Sequence, residues 1–142
     1  MLDKIAQRQR AKAVRGRFFS SQSPQSLLEL EEKRIAALWD LRIFQDFLKK
    51  KGAGPIGLYN AIRDEASTAL LVKHLSKLGY SLAYPRVTKE GELHFHRGSP
   101  EHPLIKSPLG LLEPEPTLPI VIPDLCIVPL LAFDEQKGRM GY

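Results

Sequence analysis

Apolar residues recur every four positions in the middle of the N-terminal half: Ile35, Trp39, Ile43 and Phe47, flanked by Leu38, Leu41, Phe44 and Leu48. That spacing predicts one helix with a broad buried stripe, running from Pro24 to Lys51. Ser23 is placed to cap it and Pro24 to occupy its first turn, where a missing N–H costs nothing. Lys49, Lys50 and Lys51 suit its negative end, and Gly52 suits its stop. An earlier helix is predicted over Asp3 to Phe19 with Asp3 as N-cap, separated from the next by the polar break Ser20–Ser23.

Beyond Gly52 the pattern changes period. Pro55 to Tyr59 is a short apolar run and predicts a buried strand. Ser67 to Leu78 returns to helical spacing and is closed by Gly79. Ser81 to Tyr84 predicts a strand stopped by Pro85, and Glu92 to His96 alternates as a half-exposed strand does. A stretch rich in proline follows, from Pro100 to Pro123, unsuited to helix or to a central strand. Leu125 to Phe133 is almost wholly apolar and predicts a strand buried on both faces. Strands interleaved with helices imply an α/β fold of three layers, a mostly parallel sheet flanked by helices.

Composition narrows the class. The chain has 142 residues, 43% hydrophobic and 26% charged, which suits one soluble domain over residues 1–142. No apolar run approaches the ~18–20 residues needed to cross a bilayer. One cysteine, Cys126, permits no internal disulfide, and in so apolar a segment it is expected to be a buried, inert thiol. These features point to the cytoplasm. The net charge is +5, and Lys4, Arg8, Arg10, Lys12, Arg15 and Arg17 crowd the first seventeen positions. Such a segment suits anionic partners, or is simply a solvated helix face.

Few residues are placed for chemistry. His94 and His96 form a His-x-His pair without further ligands at metal spacing, so a surface strand explains them. His74 falls in a helix and His102 in the proline-rich stretch. There is no serine elbow and no Walker loop. Strand ends are more informative, because open α/β sheets bind ligands at the carboxyl ends of their strands. Asn60 and Glu65 lie where the first strand runs out, with helix capping as the alternative role for Glu65. Asp134, Lys137, Gly138, Arg139 and Gly141 follow the most apolar strand, offering cations and backbone N–H groups that suit phosphate.

At these residues the chain resembles the 5-formyltetrahydrofolate cyclo-ligases, also called methenyltetrahydrofolate synthetases. The family's Lys-x-x-Leu-Arg is met by Lys4-Ile-Ala-Gln-Arg8, with Gln7 replacing leucine. An acid followed three residues later by threonine is met by Glu65-Ala-Ser-Thr68, and Gly-x-x-Glu-Pro by Gly110-Leu-Leu-Glu-Pro114. The most specific match is Val128-Pro-Leu-Leu-Ala-Phe-Asp134 followed by Gly138-Arg-Met-Gly-Tyr142.

The resemblance implies ATP-dependent closure of 5-formyltetrahydrofolate to 5,10-methenyltetrahydrofolate, with MgATP and the folate as partners and neither nucleic acid nor membrane. It implies that Lys4, Ile5, Ala6, Gln7, Arg8, Arg139, Met140, Gly141 and Tyr142 bind ATP, and that Arg8, Asn60 and Glu65 bind the folate. It assigns no catalytic side chain and no metal ligand here. In the family the last segment continues into a loop ending Gly-Tyr-Tyr-Asp and then into further elements. The expectation is therefore a domain whose C-terminal part is missing, and which is inactive as it stands. Two other readings remain: a nucleic-acid-binding module using the basic N-terminal helix, and an inactive relative acting as an interaction subunit.

Overall fold

The computed structural model describes residues 3–98, 103–108 and 110–141. Helix α1 (Lys4–Ser20) begins at Asp3, whose carboxylate accepts from the Ile5 N–H at 3.2 Å. It buries none of its residues. Helix α2 (Pro24–Asp40) starts as expected, with the Ser26 N–H donating to Ser23 Oγ at 3.1 Å and Pro24 in the first turn.

The helix expected to reach Lys51 instead breaks at Leu41, which takes an extended ψ of 120° and ends α2 while starting α3 (Arg42–Lys49). The break resets the helical phase. Phe44 and Phe47 are buried, whereas Ile43, in line with Ile35 and Trp39 by spacing, is 71% exposed. Gln45 Nε2 donates to the Trp39 carbonyl at 2.9 Å and satisfies one acceptor freed by the break.

The main sheet has the order β6-β3-β2-β1-β7. Strand β1 (Ile56–Gly57) is parallel to β2 (Leu82–Val87) and to β7 (Leu125–Cys126). Strand β3 (Leu93–Gly98) runs antiparallel to β2 and to β6 (Ile120–Val121). Helix α4 (Ala69–Lys77) links β1 to β2. Two small hairpins stand apart, β4 (Ile105–Lys106) with β5 (Leu112–Glu113), and β8 (Ala132–Phe133) with β9 (Arg139–Met140). The α/β class holds, with the parallel pairs gathered around β1. One core joins Phe44, Phe47, Ile56, Leu58, Leu71, Leu75 and Leu82, with Ile35, Leu38 and Trp39 packed against it. No described helix is long and apolar enough to cross a membrane.

Three strand expectations change. Pro85 does not stop β2, because β1 pairs only with Leu82 and Ala83, and beyond them β2 is an edge that needs no donor on that side. The Leu125–Phe133 run is not one buried strand. It pairs with β1 through Leu125 and Cys126, and Ile127 N–H donates to Gly57 O at 2.8 Å. Pro129, lacking an N–H, then marks the departure towards β8. As the sheet's edge, β7 leaves Cys126 exposed rather than buried, and Val128 and Phe133 are exposed beyond it. Gly57 is required beneath that thiol, since a Cβ there would come within 2.9 Å of Cys126 Sγ. His96, finally, is buried rather than a surface position, its Nδ1–H donating to the Leu118 carbonyl at 2.8 Å.

Candidate functional site

Where β1 ends, the chain turns tightly before α4. The Ile62 N–H donates to Glu65 Oε2 at 2.9 Å, and the Glu65 N–H donates back to the Ile62 carbonyl at 3.0 Å. Arg63, between them, adopts a left-handed φ of 53°, uncommon for a residue with a Cβ. Tyr59 Oη donates to the Ala66 carbonyl at 2.7 Å, and Thr68 Oγ1 donates to the Tyr59 carbonyl at 2.9 Å. Glu65 is thus buried within a self-bonded turn. It does not cap α4. That cap comes from α2, where buried Glu31 accepts from the Leu70 N–H at 2.7 Å and from Ser67 Oγ at 3.1 Å.

Helix α1 reaches this turn at one ion pair. Arg15 Nη2 lies 2.6 Å from Asp64 Oδ1, with both side chains largely covered. The Arg15 hydrogen bond holds the Asp64 carboxyl below its ordinary range. Burial, followed by the neighbouring charge of Glu65, pushes the Tyr59 phenol up.

Several cavities adjoin the turn. One, of about 690 Å³, is lined by Phe18, Leu27, Glu31, Arg34 and Glu65 among others. The second, of about 540 Å³, lies between Arg15, Arg34, Tyr59 and Glu65 on one side and Val128–Phe133 on the other. Asn60 faces a different cavity, of about 440 Å³, with Thr68, Tyr84 and Pro103. Of the three residues expected to bind the folate, Asn60 and Glu65 therefore share a loop but line separate cavities, and Arg8 lines neither.

At the other end of α1, Arg8 Nε donates to the Gly141 carbonyl at 3.3 Å. Ala6, Gln7 and Met140 line a groove of about 670 Å³ together with Arg10, Val14 and Leu131. Of the nucleotide-side residues, the fold thus gathers Ala6, Gln7, Arg8, Met140 and Gly141. Lys4, Ile5 and Arg139 are exposed and outside that lining. Tyr142 and His102 lie outside the described residues. The hairpin ahead of Arg139 is closed by Asp134, whose Oδ1 accepts from the Gly138 N–H at 2.6 Å, with Lys137 at a left-handed φ of 65°. Asp134 therefore spends one oxygen on its own turn.

No three His, Cys, Asp or Glu side chains cluster as metal ligands among the described residues. His94 pairs with Glu92 at 3.3 Å. Three residues at these cavities escape a reading of local pattern: Arg15, Glu31 and Arg34. Arg15 was visible only as one of a basic run. Glu31 carries no signal of its own, because its partners Ser67 and Leu70 lie far along the chain, and Arg34 carries none because the cavities it lines are built from distant segments.

By sequence, the chain matches no protein-family model and no curated protein. By structure it is similar to 5,10-methenyltetrahydrofolate synthetase of Aquifex aeolicus, with a TM-score of 0.77 and 27% identity, over 100% of this chain and 68% of that one. It shares its fold with the Mycoplasma pneumoniae 5,10-methenyltetrahydrofolate synthetase, at a TM-score of 0.66 and 18% identity, over 99% of this chain and 72% of that one. The chain-long likeness supports the cyclo-ligase family that the motifs resemble.

Proposed function

We propose that this chain, similar along its whole length to a methenyltetrahydrofolate synthetase structure, takes part in ATP-driven closure of 5-formyltetrahydrofolate to 5,10-methenyltetrahydrofolate. One observation carries the reading furthest. Arg8 meets Gly141 across 133 positions of sequence, so the basic helix and the glycine-bearing segment lie side by side, as a shared phosphate site requires.

The chemistry needs little covalent help from protein. The formyl oxygen attacks the γ-phosphorus of ATP and ADP departs. N10 then attacks the activated carbon, and phosphate leaves with the oxygen. Phosphorylation turns a poor leaving group into a good one, so alignment and charge neutralisation do the work. In this reading Lys4 and Arg8 neutralise nucleotide phosphates, and Arg139 and Gly141 offer backbone N–H groups, the Met140 N–H being paired with Ala132 in the β8–β9 hairpin. Magnesium arrives on the nucleotide as part of MgATP. Glu65 has one oxygen committed to Ile62, leaving the other to accept from pterin N–H groups.

The test is a spectrophotometric assay of methenyltetrahydrofolate formation with and without MgATP. MgATP-dependent product is expected, because Arg8 and Gly141 already meet in this fold, and that outcome would overturn the expectation of an inactive chain. Absence of product, together with salt-dependent binding of RNA or DNA unaffected by folate or ATP, would replace this reading with the nucleic-acid one.

A further inference from the structure

We propose that Arg15 and Asp64 form a positioning pair that holds the nucleotide-side helix and the folate-side turn in one alignment, an inference that rests on the activity proposed above. Helix α1 buries none of its residues, so its placement depends on a few specific contacts rather than on a packed stripe. One of them is the 2.6 Å bridge from Arg15 to Asp64, whose side chains are 18% and 21% exposed. The helix backbone comes close at the same place: a Cβ on Gly16 would sit 3.6 Å from Asp64 Oδ2.

The geometry makes the pair a lever. Arg15 lies seven residues after Arg8, two turns along the same face, or about 10 Å along the axis. Asp64 directly precedes Glu65 in a turn already stiffened by the Ile62–Glu65 bonds. Arg15 borders both the cavity that holds Glu65 and the groove that holds Gln7 and Met140. A small rotation of α1 about Arg15 would therefore shift Arg8 relative to Glu65 without unmaking either site. Bringing a formyl oxygen in line with a γ-phosphorus tolerates little such movement, since a misplacement of ~1 Å costs up to about 100-fold in rate. Neither side chain needs to touch the reacting atoms, so both are positioning residues.

The experiment uses the chain as it exists, with steady-state kinetics on 5-formyltetrahydrofolate and MgATP and thermal melting run alongside. Arg15→Gln and Asp64→Ala should each lower kcat about tenfold or more, with KM for each substrate within about threefold. The double variant should lose no more than the worse single one, because the two act as a unit. Arg15→Lys, which keeps the charge, should recover most of the rate. Active wild type with additive losses, or with variants that change melting temperature alone, overturns the pair and leaves the activity standing. Variants that lose the fold overturn it in favour of a structural role. A wild type that neither binds nor converts the substrates overturns the activity, and the pair's role falls with it.

Discussion

The turn Asn60–Glu65 and helix α1 line the same two cavities, yet they are held by opposite means. The turn is fixed from within, by reciprocal bonds between Ile62 and Glu65, and is flanked by Thr68 bonded to the Tyr59 carbonyl and by Glu31 bonded to the start of α4. Helix α1 buries nothing and is tied at Arg15 and Arg8. A buried network resists movement because each freed polar group would be left without water. An exposed helix loses little by shifting. The site thus pairs a rigid wall with an adjustable one, and substitutions on the two sides should fail differently.

The largest effect should come from the rigid side. Glu31→Ala leaves the Leu70 N–H without its charged acceptor and should destabilise the protein by about 1.5–3 kcal/mol, read as a lower denaturant midpoint. If stability is unchanged, the turn does not depend on α2. Next, Glu65→Gln keeps an acceptor for Ile62 and replaces the other oxygen by a donor. Folate binding measured by calorimetry should fall by tenfold or more, about 1.4 kcal/mol, while ATP binding holds. Normal folate affinity would remove Glu65 from the site. On the adjustable side, Arg8→Ala should weaken nucleotide binding by about fivefold, near 1 kcal/mol, with melting unchanged because the face is solvated. A large drop in melting temperature would make Arg8 structural instead.

The smallest expected effect is on pH. Asp64 is held down by Arg15, and exposed Asp124 is held down by the Gly54 N–H at 2.9 Å and by Lys50 at 3.1 Å. A carboxyl whose folded pKa is lowered stabilises the fold above its ordinary range, and that contribution is lost as pH falls through the lowered value. Denaturant midpoints from neutral pH downward should therefore decline in acid, and Asp124→Asn should flatten part of the decline. An unaltered acid profile in that variant would remove Asp124 from the linkage.

How much of this was legible follows from the range of the interactions. Asp3, Ser23, Pro24 and Gly79 act on their own helix ends, so the boundaries they set could be read locally, whereas α3 ends at Lys49 with Lys50 extended, ahead of the stop expected at Gly52. Asn60 and Glu65 could be placed at cavities beyond β1 because strand, turn and helix are adjacent in sequence. The break at Leu41 could not, since the residues around it keep the helical period and only packing of Phe44 and Phe47 selects the new phase. The short β7 escaped for a related reason: apolar content says nothing about how many neighbours a strand will have. Arg15 with Asp64, and Glu31 with Leu70, join residues 49 and 39 positions apart. No local pattern encodes such pairs, and they are what shape the cavities.

Cys126 gives the sheet edge a built-in reporter. It is the chain's one thiol, exposed on β7, with Gly57 making room beneath its sulfur. A single alkylating probe therefore marks one defined place without any engineered residue. The sulfur is exposed in the folded sheet, so it reacts without any opening of β7. Its alkylation rate therefore reports how crowded the sheet edge is, two residues ahead of the Val128–Phe133 segment that walls one of the cavities.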